Sequence, residues 1–282
     1  MDAHGPLAPR GRQRTIVWID LLGAVLLGVL ATTGIACLVV PTLIVVITSF
    51  DTQEFIGFPP RGFSLERYRE MFQSSVILRA AQISAVTSAF TVTLGVALGV
   101  PAAIALVRRE FRGKALVTAL LLSPIMLPGI VIGVAMLVFY SALGLRLSLP
   151  LLVLSHVVFT MPFIVRLSMA RMERIDRQLE DAARNLGARE WQVFRHVVLP
   201  QLRPGIAAGA AFAFLVSFDN LSVSLFTAPV RQRPLPIELF YLMRFDLDPV
   251  VAAVAALQFL IALCLLLFVA RKLGPSGFMP DA

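Results

Sequence analysis

The sequence predicts an all-α integral membrane protein with six transmembrane helices and both termini in the cytoplasm. Three observations predict it. Of 282 residues, 58% are hydrophobic and 15% are charged, where an ordinary soluble domain carries about 25% charge. Six apolar runs are long enough to cross a bilayer, which takes about 20 residues each. The basic residues fall unevenly on the two sides of those runs. This composition excludes disordered, collagen-like and disulfide-stapled chains.

The elements follow in order. Segment 1–15 is polar and carries Arg10, Arg12 and Arg14. The first apolar run extends from Ile16 to about Phe50. A cleaved signal peptide has an apolar stretch of about 7–15 residues, so this longer run is expected to stay as a helix. Apolar sequence continues well past Cys37, which excludes a lipoprotein cleavage site there. Cys37 and Cys264 read as small packing residues. The runs 76–107, 115–140, 150–170, 206–228 and 250–270 supply the second to sixth helices. The chain is therefore one membrane domain, 16–270, with tails 1–15 and 271–282.

Orientation comes from counting Lys and Arg. The N-tail, the 108–114 turn, the 171–205 loop with Arg166, and the C-tail hold 17; the opposite side holds eight. The termini and the 171–205 loop are thus placed in the cytoplasm. The net charge of +8 reads as this topology signal, facing anionic lipid, and calls for no nucleic-acid partner. Pro41, Pro101, Pro124, Pro128 and Pro162 interrupt the runs and can kink them. Gly95 with Gly99, and Gly205 with Gly209, have the GxxxG spacing that permits close helix approach.

The 171–205 loop is the informative segment. Leu179, Ala182, Ala183 and Leu186 lie at i, i+3, i+4 and i+7, one face of a helix. Glu180, Asp181 and Arg184 sit off that stripe. Gly187 is placed to end the helix in a left-handed cap. A second short helical pattern puts Trp191, Phe194, Val197 and Val198 on one face, and Pro200 and Pro204 are expected to stop it before the fifth span. The result is a helix–turn–helix knob offered to the cytoplasm, with small alanines that let a partner approach closely. Asp219, within the fifth apolar run, is a carboxylate of the kind that usually faces a bundle interior or water cavity. His156 reads as a packed or interfacial histidine, Asp20 as a carboxylate at interfacial water, and Trp18 and Trp191 as interface anchors. The outer loop carries Arg231, Arg233, Asp246 and Asp248. The sequence has no GxxxxGK[ST] phosphate loop and no HExxH, CxxC or GxSxG motif, so no catalytic or metal residues are expected.

Asp181-Ala182-Ala183, three residues, Gly187, nine residues, then Val197-Val198-Leu199-Pro200 resembles the EAA loop of type I ABC importer permeases. Asp181 stands for the family's Glu and Val197 for its Ile. Residues 62–72, Ser123-Pro124-Ile125-Met126-Leu127-Pro128-Gly129 and Ser217-Phe218-Asp219-Asn220 resemble segments of the spermidine/putrescine-type branch. Gly129 and Asn220 stand where that branch often has acidic residues. The resemblance implies the six-helix type I permease fold in a bacterial inner membrane. It implies that Glu180, Asp181, Ala182, Ala183, Gly187, Leu199 and Pro200 couple to an ATP-binding subunit. It further implies two copies of that subunit carrying ATP and Mg, a second permease, an extracytoplasmic solute-binding protein, and no cofactor in this chain. The fifth helix would line the pathway through Ser217, Asp219, Asn220 and Ser222; a structural carboxylate paired with an arginine or a helix end is the other reading of Asp219. The implied solute is a polyamine, with an amino-acid derivative, iron or an oxyanion as alternatives. A stand-alone ion-coupled carrier is the rival outside this class.

Overall fold

The computed structural model describes residues 10–53, 57–246 and 248–273, with side chains from residue 23 onward apart from those of 246, 272 and 273. The readings of Trp18, Asp20 and Asp246 lie outside the described side chains, and residues 1–9 and 274–282 of the tails lie outside the described residues. Among the described residues every regular element is helical. Five helices are long and apolar enough to span a bilayer, and six spans result if one bent pair is counted as a span.

α1 (Arg10–Thr48) contains the first apolar run, and within the apolar stretch Gly23–Thr48 it buries only Thr48. α2 (Glu66–Gln73) is a short amphipathic helix, tied to the end of α1 by a 2.7 Å hydrogen bond between Ser49 and Tyr68. α3 (Ser75–Arg108) begins at Ser74, whose hydroxyl accepts from the Ile77 N–H, and runs through Pro101 to Arg108. The expected third helix is corrected here. Its run divides into α4 (Lys114–Leu122), continued by a 3-10 turn to Ile125, and α5 (Gly129–Ala142), bent by 107°. Pro128 is the physical reason: it has no N–H to donate and forces the residue before it out of helical geometry.

α6 (Leu149–Met172) is a single span. The knob follows as α7 (Arg177–Asn185) and α8 (Glu190–Val193). A second correction concerns Pro200 and Pro204, which do not separate the knob from the fifth span. A wide, π-type turn at Phe194–Val198 leads directly into α9 (Leu199–Phe218), so helix continues from Glu190 to Phe218. Pro200 has no N–H to give, and it follows directly on the wide turn, where the regular i→i−4 ladder is already interrupted. Side chains serve carbonyls nearby: Gln201 Nε2 donates to the Val197 carbonyl and Arg171 Nε to that of Gln201, each at 2.9 Å. A third correction is that the run 206–228 is not one helix. α9 stops at Phe218, and α10 (Leu221–Thr227) resumes beyond Asp219 and Asn220. α11 (Leu235–Tyr241) and α12 (Val250–Leu273) complete the chain. Cys37 and Cys264 lie on exposed helix faces rather than in the packed interior.

α3, α6 and α9 form the packed centre. Lipid is as apolar as leucine, so such helices associate through close packing rather than water exclusion. The two GxxxG spacings meet on fully buried Ile164 of α6. A Cβ on Gly95 would lie 2.7 Å from Ile164 Cδ1, and one on Gly209 would lie 2.9 Å from Ile164 Cα. Val100, Met172, Ile175, Val198 and Leu202 continue this core toward the knob. At the opposite end Met71, Ile77, Leu235, Leu239 and Val250 bring α2, α3, α11 and α12 together.

Gly209→Leu must push backbone aside, and overpacking of this kind costs about 1–3 kcal/mol. A Cβ on Gly28 of α1 meets nothing within 4 Å. The expected outcome in detergent is a lowered Tm for Gly209→Leu and an unchanged Tm for Gly28→Leu. Equal Tm values would show that the α6–α9 contact is not close.

Candidate functional site: the knob and the helix break

Asp176 starts α7 by accepting from the Gln178 N–H at 2.9 Å. Gly187, at φ +87°, ends it, as a left-handed glycine does. The Gly187 N–H reaches the Arg184 carbonyl and the Ala188 N–H the Ala183 carbonyl, so the last turn is satisfied. Leu179, Asp181, Ala182 and Leu186 are exposed, Leu186 at 90%. Ala183 and Leu199 are partly covered, and Pro200 is exposed. Glu180 turns the other way. It is buried and pairs with Arg108 at the end of α3. In the second half of the knob, Val193 and Val198 are buried while Trp191 is 64% exposed with its ring 5.4 Å from that of Phe194. The π-type turn breaks the 3.6-residue period, so the expected face of Trp191 with Val198 is not a single buried face.

Arg184 joins the two short helices. Its guanidinium lies 2.9 Å from Asp181 and 2.7 Å from Glu190, and 3.5 Å from Glu180. The hydrogen bond from Arg184 holds the Glu190 carboxyl below the usual range for a glutamate. A lowered folded-state pKa contributes stability above the ordinary value, and that contribution is lost as pH falls through the lowered one. The α7–α8 bridge therefore persists at neutral pH and opens in acid.

The second locus lies at the far end of α9, roughly 30 Å from Pro200 at 1.5 Å per residue. Asp219 and Ser222 are exposed at the break, while Ser217 and Asn220 are buried. Asn220 caps α10, its Oδ1 accepting from the Val223 N–H at 2.9 Å. His156 of α6 spans the break. Its Nδ1 lies 2.8 Å from the Ser217 hydroxyl and its Nε2 3.0 Å from the Ser224 hydroxyl. Neutral imidazole has one donor and one acceptor nitrogen, and hydroxyls serve either, so the clamp is satisfied in both tautomers. α5 closes the other side: a Cβ on Gly133 would lie 2.9 Å from the Ser222 carbonyl oxygen. The Asp219 carboxylate makes no hydrogen bond or ion pair with another described residue. It sits at the end of a 20-residue helix, where the helix dipole is negative. Carboxylate and helix end are both negative and lie together at the break.

The comparisons fit this geometry. Residues 92–273, from the middle of α3 to the end of α12, match the family described as binding-protein-dependent transport system inner membrane component. The chain belongs to this family. This permease is therefore a multi-pass inner membrane protein of a transport system. It is similar to the spermidine/putrescine transport system permease protein PotC of Escherichia coli K12, with 32% identity over 90% of this chain and 95% of that one. It also resembles the putrescine transport system permease protein PotI of the same organism, at 29% identity over 79% and 82%. Among solved structures, a bacterial ABC transporter involved in import of the acidic polysaccharide alginate matches with TM-score 0.68, at 17% identity over 96% of this chain and 100% of that one. The MetNI methionine ABC transporter, in an inward-facing conformation, matches with TM-score 0.59, at 18% identity over 72% and 96%. The fold is that of type I ABC importer permeases.

The structure gathers Glu180, Asp181, Ala182, Ala183 and Gly187 on one short helix and its cap, with Leu199 and Pro200 where the knob enters α9. It gathers Ser217, Asp219, Asn220 and Ser222 at one break. Sequence reasoning missed Arg108 as a partner of Glu180, having read it only as a topology charge. It also missed the link from His156 to two serines; three small polar groups on two apolar runs were the available signal.

His156→Leu leaves the Ser217 and Ser224 hydroxyls buried without the imidazole, a loss of about 1–3 kcal/mol per orphaned group. A fall in Tm of the purified permease is expected. An unchanged Tm would show that the clamp does not hold the break.

Proposed function

We propose that this permease forms half of the translocation pathway of an ATP-driven importer for a polyamine of the spermidine/putrescine type. The observation that carries the substrate assignment is the exposed, unpaired Asp219 at the negative end of α9, beside the exposed Ser222. A flexible polycation finds there a carboxylate and a helix end, and Asn220 and Ser217 hold the break that presents them. The names of the PotC and PotI relatives support the same solute class.

In this reading both termini and the knob face the cytoplasm, as the 17-to-eight distribution of basic residues favours. Asp181, Ala182, Ala183, Gly187, Leu199 and Pro200 dock on an ATP-binding subunit, and Glu180 anchors the docking helix from behind. ATP and Mg bind and react on two copies of that subunit, not on this chain. A second permease completes the pore, and an extracytoplasmic binding protein delivers the solute. ATP can bias the transporter only if the knob makes different contacts in its two states. The continuous helix from the knob to Phe218 carries those contacts to Asp219.

The test is co-purification from native membranes followed by spermidine uptake into proteoliposomes. Recovery with an ATP-binding subunit and a second permease is expected. Asp219→Asn should raise the KM for spermidine about tenfold, the equivalent of about 1.4 kcal/mol lost from a charged contact. Unchanged uptake kinetics in Asp219→Asn would remove that residue from the pathway, and recovery of the chain without an ATP-binding subunit would favour a stand-alone carrier. Bulky residues at both Ala183 and Gly187 should abolish uptake while the ATP-binding subunits still hydrolyse ATP. Normal uptake in that double variant would refute docking through the knob.

A further inference from the structure

The knob is joined through the chain to two spans. Residues 173–176 connect it to α6, and the continuous helix after Glu190 connects it to α9. α3 has no such connection, because residues 109–113 lead from it to α4 instead. Yet the end of α3 is bound to the knob by polar groups in both directions. Arg108 Nη2 pairs with Glu180 on α7 and donates to the Ile175 carbonyl at 3.0 Å. Arg177 Nη2 on α7 reaches back to the Val107 carbonyl, in the last turn of α3, at 3.2 Å. The Arg108 and Glu180 side chains are only 14% and 10% exposed. Arg109, next in sequence, is exposed.

We infer that Arg108, through its ion pair with Glu180, is a positioning residue that ties α3 to the knob, so that ATP-driven motion enters the bundle through α3 as well as α9. The inference rests on the proposed coupling role of the knob. Its physical basis is burial. Glu180 also has Arg184 of its own helix 3.5 Å away, but Glu180 is the one ion-pair partner of Arg108 among the described residues. A buried charge cannot be left without its counter-charge at small cost, so when Glu180 moves the end of α3 follows. α3 is 34 residues long and runs unbroken through Pro101, about 50 Å of continuous helix. In its distant half, Ser84 accepts from the Leu235 N–H at 2.9 Å, and Ile77 and Ala80 pack with Leu235, Leu239 and Val251. A displacement at Arg108 thus reaches α11 and the start of α12, at the side where solute enters. A topology charge has no such requirement. Arg109, Arg112 and Lys114 all serve the positive-inside rule, but only Arg108 is opposite Glu180.

The experiment uses the assembled importer in proteoliposomes, with [14C]spermidine as solute. Arg108→Gln, Glu180→Gln and the reversed pair R108E/E180R are compared with wild type. Each single variant should co-purify with the ATP-binding subunits in normal yield. ATP hydrolysed per spermidine imported should rise by at least about fivefold, the lower end of a typical coupling energy. The reversed pair should return the ratio to near the wild-type value. Wild-type ratios in both single variants overturn the inference, as does a reversed pair no better than either single. Single variants that lose assembly and uptake together would show a merely structural pair and also overturn it.

A second readout does not depend on the solute. In a Cys37→Ser/Cys264→Ser background, maleimide labelling of V76C, at an exposed position in the first turn of α3, is measured with and without ATP and vanadate. Labelling should change on ATP trapping in the parent and not in the Arg108→Gln variant. No change in the parent, or the same change in both, overturns the inference. A complex whose V76C labelling follows ATP but which imports no spermidine would instead overturn the polyamine assignment and leave Arg108 in place.

Discussion

In hydrocarbon, each main-chain N–H and C=O must find a partner within the protein. The two interruptions in this permease are shaped by that constraint. At Pro128 the chain turns by 107°, because proline supplies no donor to continue the helix. At Asp219 and Asn220 the chain stops and restarts, and several of the backbone groups at the break are paired. The Asp219 N–H reaches the Leu215 carbonyl, and the Asn220 side chain takes the Val223 N–H. His156 then holds the two halves at fixed separation from the side. α5 and α10, the two short helices so produced, pack on one another where Gly133 leaves room.

The break gains its meaning from what lies at the other end of α9. The same helix that ends at Asp219 begins inside the knob, after the wide turn at Phe194–Val198. Neither end is free to move alone. Ile164 locks α9 and α3 against α6 at mid-membrane, and Arg184 makes α7 and α8 a single charged unit. In the proposed reading, a push on the exposed surface of the knob reaches the distant polar break through the continuous helix from Glu190 to Phe218. The amphipathic character of α7 serves two directions at once: small and apolar groups face out, and Glu180 faces the bundle.

Much of this was legible in the chain itself. The six apolar runs predicted the spans because bilayer thickness fixes their length, and the EAA-type spacing marked the knob because helix capping and small residues recur at set intervals. Gly187 was readable as a cap, and its φ of +87° bears that out. The errors cluster at prolines. Pro200 and Pro204 suggested a stop where the helix continues, whereas Pro128 broke a run that looked continuous. Proline states only that a donor is missing. Whether the helix then ends, kinks or passes through depends on the surrounding geometry: a wide turn precedes Pro200, whereas a 107° bend lies at Pro128.

The sequence by itself determined the solvent, the number of crossings, the family pattern of the knob and the presence of a carboxylate within the fifth run. Those properties depend on composition and on residues a few positions apart. Only the tertiary structure decided that Glu180 faces Arg108, that His156 bridges Ser217 and Ser224, and that Asp219 is left unpaired at a helix end. These pairings join residues 61 to 72 positions apart. Their geometry is set by how α3, α6 and α9 cross, which no local pattern of residues encodes.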